Sequence, residues 1–119
     1  MKDYRLADVE AKFADIIWEY EPLSSSELVK LCEKELNWKK STTYTVLKKL
    51  IEKGIFQNKN TVVSSLMSKE EFYGQQSQRY VKETFGTLPE FLTAFFGGRK
   101  ISEKEARELR EYINQFEEK

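Results

Sequence analysis

The sequence predicts a mainly α chain of the α+β class, six helices interrupted once by a short β-hairpin. Three observations carry this. Apolar residues recur at three- and four-residue spacing through most of the 119 residues. Ser or Thr stands three residues ahead of Glu at Ser24/Glu27, Ser68/Glu71, Thr87/Glu90 and Ser102/Glu105, the spacing of a helix-opening capping box. Only the stretch after Gly54 turns β-prone.

The first helix lies in "LADVEAKFADIIWEY", where Val9, Phe13, Ile16, Ile17 and Tyr20 form the apolar stripe and acids with Lys12 the other face; Pro22 ends it. "LSSSELVKLCEKELN" is the second, capped by Ser24 and Glu27, with Leu28, Leu31, Cys32 and Leu36 inward. The third runs through "KKSTTYTVLKKLIEKG", its stripe Thr43, Val46, Leu47, Leu50 and Ile51, its stop Gly54. Two runs, Ile55 to Gln57 and Thr61 to Leu66, then flank a polar Asn58-Lys59-Asn60 tip and predict a hairpin. A long polar helix follows Ser68, with Phe72, Gln76, Tyr80 and Phe85 spread thinly and Gly74 as a weak point. "TLPEFLTAFFGG" predicts a fifth helix, with Pro89 in its first turn and Leu88, Phe91, Leu92, Phe95 and Phe96 crowded together. The sixth carries Ile101, Ala106, Leu109, Ile113 and Phe116. The shift to aromatic-rich helices divides the chain into residues 1–67 and 68–119.

Composition excludes several function classes. There is no histidine and a single cysteine, so His-based catalysis, a disulfide framework and the usual zinc sites are absent, and neither metal nor cofactor is expected. Cys32 falls on an apolar stripe, the serines at 24 to 26 read as helix caps, and no glycine-rich phosphate loop is present; the protein is not expected to be an enzyme. No apolar run nears the roughly 20 residues that cross a bilayer, and "MKDYRLADVEAKF" has acids where a signal peptide needs a hydrophobic stretch. The expectation is a cytoplasmic protein with no membrane partner.

Net charge is zero, but its distribution is uneven. Residues 37–60 hold six lysines against Glu52 alone, net +5, whereas residues 1–36 are net −4 and residues 61–119 net −1. Local potential steers a polyanion, so one short window offers a docking face. A basic third helix after a serine-capped second one, followed by a hairpin, is the order of a winged helix-turn-helix, in which the third helix enters the major groove of double-stranded DNA. Its solvent side offers Ser41, Thr42, Tyr44, Thr45, Lys48, Lys49 and Glu52. Lysines suit phosphates, hydroxyls suit bases or phosphates, and Tyr44 can meet a thymine methyl. Lys39 and Lys40 precede the helix, where its N-terminal amides also favour an anion, and Lys59 at the hairpin tip is set to reach a flanking backbone.

Residues 6 to 56, with Trp18, Trp38 and "KSTTYTVLKKLIEKG" as the most specific parts, resemble the DNA-binding half of the penicillinase-repressor (BlaI/MecI/CopY) family of bacterial winged-helix transcriptional regulators. The remaining helices, ending in "ISEKEARELREYINQFEEK", are similar in length and layout to the family's dimerisation region. The resemblance implies a homodimeric repressor on a palindromic operator, relieved by a sensor protease or other inducer. It implies groove contacts from Thr42, Tyr44, Thr45 and Lys49, and backbone contacts from Ser41 and the flanking lysines. The chain also departs from the family. The copper-responsive branch uses a C-terminal cysteine cluster, absent here, and the β-lactam branch is cut before a phenylalanine that follows asparagine, where this chain has Ala94 before Phe95. The hairpin lacks the family's aromatic-containing second strand.

Phe85, Leu88, Phe91, Leu92, Phe95 and Phe96 are more large apolar groups than three short helices can cover, since small domains bury only about 60% of their surface. With Tyr80, Leu109, Ile113 and Phe116 they form the candidate dimer interface. The leading expectation is a sequence-specific DNA-binding transcriptional regulator acting as a dimeric repressor. The rival is a protein-interaction adaptor that keeps the winged fold with little DNA affinity, supported by the zero net charge.

Overall fold

The computed structural model describes residues 6–118, so the first five residues of the stretch weighed against a signal peptide, and Lys119 at the other end, lie outside the described residues. The element order is α1 (Asp8–Tyr20), β1 (Leu23–Ser24), α2 (Ser25–Leu36), α3 (Lys40–Glu52), β2 (Phe56–Lys59), β3 (Val62–Ser65), α4 (Lys69–Thr84), α5 (Leu88–Phe96) and α6 (Glu103–Phe116). This is the mainly α winged-helix fold that the pattern predicts, with a three-stranded antiparallel sheet of order β1-β3-β2. All four predicted caps form: the Ser24, Ser68, Thr87 and Ser102 hydroxyls accept from the amides of Glu27, Glu71, Glu90 and Glu105.

The chain packs as two compact units, Met1–Arg79 and Tyr80–Lys119. In the first, α1, α2 and α3 surround Phe13, Ile17, Leu28, Cys32, Leu47 and Leu50, closed by Ile55, Phe56 and Val63 from the hairpin. Phe72 of α4 is also fully buried here, its ring 5.9 Å from Trp18, so a helix that reads as polar contributes a core residue. The packing division therefore falls within α4, whereas the composition shift falls before it. One buried aromatic among polar neighbours gives periodicity little to detect.

Two more expectations change. Val9 and Tyr20 are exposed, and the buried side of α1 runs instead through Glu10, Phe13, Ala14 and Ile17. The hairpin pairs Phe56 with Ser65 through to Lys59 with Val62, leaving a two-residue turn of Asn60 and Thr61, both at positive φ. Lys59 thus closes β2 rather than sitting at the tip. The turn is held by the Ser25 amide donating to the Thr61 carbonyl at 2.8 Å. β1, too short to show in the sequence, adds to the other edge of β3 through Leu23 and Val63.

In the second unit, α5 and α6 bury no residue. Its rings form a chain: Tyr80, Phe85, Phe91, Phe95 and Phe96 stand at centroid distances of 5.3 to 5.9 Å. Among the described residues, no helix is long and apolar enough to cross a membrane.

Candidate nucleic-acid interface

The start of α3 is fixed from both sides. Asn37, in the left-handed conformation that ends α2, directs its amide back to the Glu33 carbonyl, and the Trp38 ring then stacks on Phe13 at 5.4 Å. Thr43, fully buried, donates its hydroxyl to the Lys39 carbonyl, and Leu47 and Leu50 seat the rest of the helix. Gly54 stops it at φ +81, a conformation that carries no penalty for glycine.

With that face buried, the opposite one is set. Lys39, Lys40, Ser41, Thr42, Tyr44, Thr45, Lys48 and Lys49 are all exposed, as the periodicity predicts, and Glu52 is the one acid on the helix. No side chain caps the N-terminus: Lys39 occupies the cap position without such a bond, so the positive end of the helix dipole and two exposed lysines lie at the same end of α3. Lys40 Nζ lies 6.0 Å from the centre of the Tyr44 ring, the outer limit of a cation–π contact. The Thr45 hydroxyl donates to the Ser41 carbonyl at 2.9 Å, which leaves mainly its methyl group facing outward. Lys59 is exposed at the end of β2.

Lys49 is the exception. Its Nζ lies 3.0 Å from Oε2 of Glu10 on α1, whose side chain is only 12% exposed. Oε1 of Glu10 accepts from the Ala7 amide at 3.0 Å. Burial pushes the Glu10 carboxyl pKa up, but the Ala7 hydrogen bond and the Lys49 and Lys53 charges outweigh it, and the net position is below the usual 4.5. Sequence reasoning assigned all the acids of α1 to the solvent face and missed Glu10. The signal was there: position 10 precedes Phe13 by three, Ala14 by four and Ile17 by seven.

Cys32 is a core residue. It is fully buried and bonded to Thr43, and burial pushes its thiol up to about 11, so it has neither the exposure nor the acidity of a reactive cysteine. Among the described residues, no cluster of acids and cysteine could hold a metal ion.

In the second unit, Phe85, Phe91, Leu92 and Phe96 are half-buried, while Tyr80, Leu88, Phe95, Leu109, Ile113 and Phe116 are exposed. Phe95 is 62% and Phe116 79% exposed, and both fall among several other exposed apolar side chains of α5 and α6. Tyr112, equally exposed and beside Ile113, belongs with this group and was not singled out by its spacing.

A model of the penicillinase repressor family matches residues 6–115. The chain is 23% identical to the methicillin resistance regulatory protein MecI of Staphylococcus aureus, over 95% of this chain and 96% of that one. It is 22% identical to the penicillinase repressor of Bacillus licheniformis, over 93% of this chain and 91% of that protein.

Proposed function

The chain belongs to the penicillinase repressor family, and from that premise we propose that it is a sequence-specific DNA-binding transcriptional regulator, a dimeric repressor on a palindromic operator. Residues 1–67 are the reader, its core completed by Phe72 at the start of α4, and the helices beyond are the pairing region. The observation that carries the reading is the solvent side of α3, which presents lysines and hydroxyls without an acid before Glu52. In the major groove, Thr42 and Tyr44 meet base edges, and Thr45 offers its methyl group, its hydroxyl being turned to Ser41. Ser41, Lys39, Lys40 and Lys48 serve phosphates, Lys59 follows the flanking backbone, and Lys49, for which the family resemblance implies a groove contact, is read instead as a point charge on a phosphate. The uncapped N-terminus of α3 adds its amides to the same anion.

Pairing follows from the exposed apolar side chains of α5 and α6. A second copy would cover them, and on α6 Ala106, Leu109, Ile113 and Phe116 repeat at three, four and three residues, the spacing of a helix–helix seam. A dimer carries two readers, whose half-sites lie one helical turn apart or a multiple of it. An inducer, a sensor protease among the candidates, would act by weakening this pair. With Ala94 before Phe95, a cut at that point would differ in its leading residue from that of the β-lactam branch.

The test is selection from randomised duplex DNA at two salt concentrations, with the mass of the free protein measured in solution. A symmetric enriched site, steep loss of binding with salt and a dimer mass are expected. Thr42→Ala should weaken the enriched site about tenfold, within the range of one base contact, and leave random duplex nearly unaffected. Weak, salt-independent binding without enrichment would refute the reading and favour a protein-interaction module instead.

A further inference from the structure

The Glu10–Lys49 pair joins the least solvated carboxylate of α1 to a lysine on the exposed side of the proposed recognition helix. Its two ends differ. Glu10 is pinned by the Ala7 amide on one oxygen and the lysine on the other, and its residue exposure is 9%. Lys49 keeps 60% of its side chain in solvent on a flexible four-carbon stem. The lysine can therefore swing out without unfolding anything, and the carboxylate cannot follow it.

We propose that Glu10 competes with DNA for Lys49: the carboxylate holds the lysine in the free protein and yields it to a phosphate on docking. Glu10 thereby sets how tightly the recognition helix grips any duplex. This rests on the reading of α3 as the DNA-facing helix and adds a positioning residue on a different helix that never touches DNA. Release is affordable in structural terms because the carboxylate left behind keeps the Ala7 hydrogen bond and the nearby positive charge of Lys53. The duplex backbone, with its dense row of phosphates, is the stronger partner for Lys49 once the helix is docked.

The experiment is a double-mutant cycle on the full chain: the unmutated protein, Glu10→Gln, Lys49→Met and the double variant, each titrated by anisotropy against a labelled random-sequence duplex at two salt concentrations. Glutamine can keep accepting from the Ala7 amide while losing the charge. Glu10→Gln should tighten binding roughly two- to fivefold, the worth of one partly exposed ion pair, and this gain should vanish in the Lys49→Met background. An equal gain in both backgrounds would mean that Glu10 acts only through the overall field, and would overturn the proposal. So would no gain in a folded Glu10→Gln protein. Should that variant fail to fold, the Lys49 ammonium resonance of the unmutated protein reads the same exchange. It should follow Glu10 protonation in the free chain and lose that dependence with duplex bound; a resonance tied to Glu10 in both states would refute the exchange. Absence of any salt-dependent duplex binding by the unmutated protein would bring down the DNA-reading proposal itself, and this one with it.

Discussion

Replacing Phe72 with alanine tests whether the first turns of α4 are part of the N-terminal unit's core. The ring is fully buried, 5.9 Å from Trp18 and 5.1 Å from Tyr73, and Trp18 in turn lies 5.4 Å from Phe56. Removing a fully buried phenylalanine costs about 3–5 kcal/mol, part lost transfer energy and part the cavity left behind. A unit spanning residues 1–79 holds about 4–12 kcal/mol in all, at roughly 0.05–0.15 kcal/mol per residue. The substitution therefore removes about a quarter of the stability or more. At a urea slope of about 1 kcal/mol per molar, the midpoint should fall by about 3 M or further. The two tryptophans of the chain, Trp18 and Trp38, both belong to this unit, so their emission during a urea titration reports on it alone. A fall of less than about 1 M, with an unchanged slope, would refute the seating of α4 on Trp18 and return the division of the chain to residue 67.

Three further outcomes follow from particular contacts. Thr61→Gly should stabilise the first unit by about 1 kcal/mol, because a β-branched residue at φ +63 gives way to one without that penalty and the Ser25 hydrogen bond goes to backbone; thermal melting would show it. Cys32 should resist alkylation by a maleimide at neutral pH in the native chain and react only on denaturation, since the thiol is buried and its pKa lies near 11; rapid native labelling would contradict its placement. The Glu10 carboxyl sits below its usual value in the folded chain, so its contribution is complete above about pH 4.5 and is lost as pH falls through the lower folded value. The stability gap between the unmutated protein and Glu10→Gln, measured by denaturation across pH, should narrow on acidification in that window and stay flat near neutrality.

The fold was legible wherever a single residue type fixes local geometry. Ser24, Ser68, Thr87 and Ser102 mark helix starts because a short hydroxyl side chain satisfies an amide that the helix leaves open. Gly54 marks a stop because its φ of +81 excludes most other residues. The turn at Asn60 and Thr61 was harder to find, since Asn58-Lys59-Asn60 is the more polar stretch and threonine rarely occupies positive φ. What selects it is long-range: Val63 must point into the core and pair with Leu23, which fixes the register of β3 and leaves two residues to turn. No pattern within ten residues of the turn contains that constraint.

The site divides along the same line. Periodicity alone turns Lys39, Lys40, Lys48 and Lys49 away from the core, because the inward positions Thr43, Leu47 and Leu50 leave only one orientation for the helix. It cannot say which partner an outward lysine has, since Lys48 and Lys49 are adjacent, chemically identical and both exposed, yet Lys49 is the one that pairs with Glu10. That difference is made by α1, whose helical spacing brings Glu10 onto the buried face some forty residues earlier in the chain. A carboxylate on such a face needs a positive partner or a hydrogen bond to stay ionised, and Glu10 has both. An acid in register with Phe13, Ala14 and Ile17 is thus a demand, visible in the sequence, for a cation on whichever helix packs alongside. In this fold the cation comes from α3, so the acidic first helix and the basic third one are joined at the residue where the proposed grip on DNA is set.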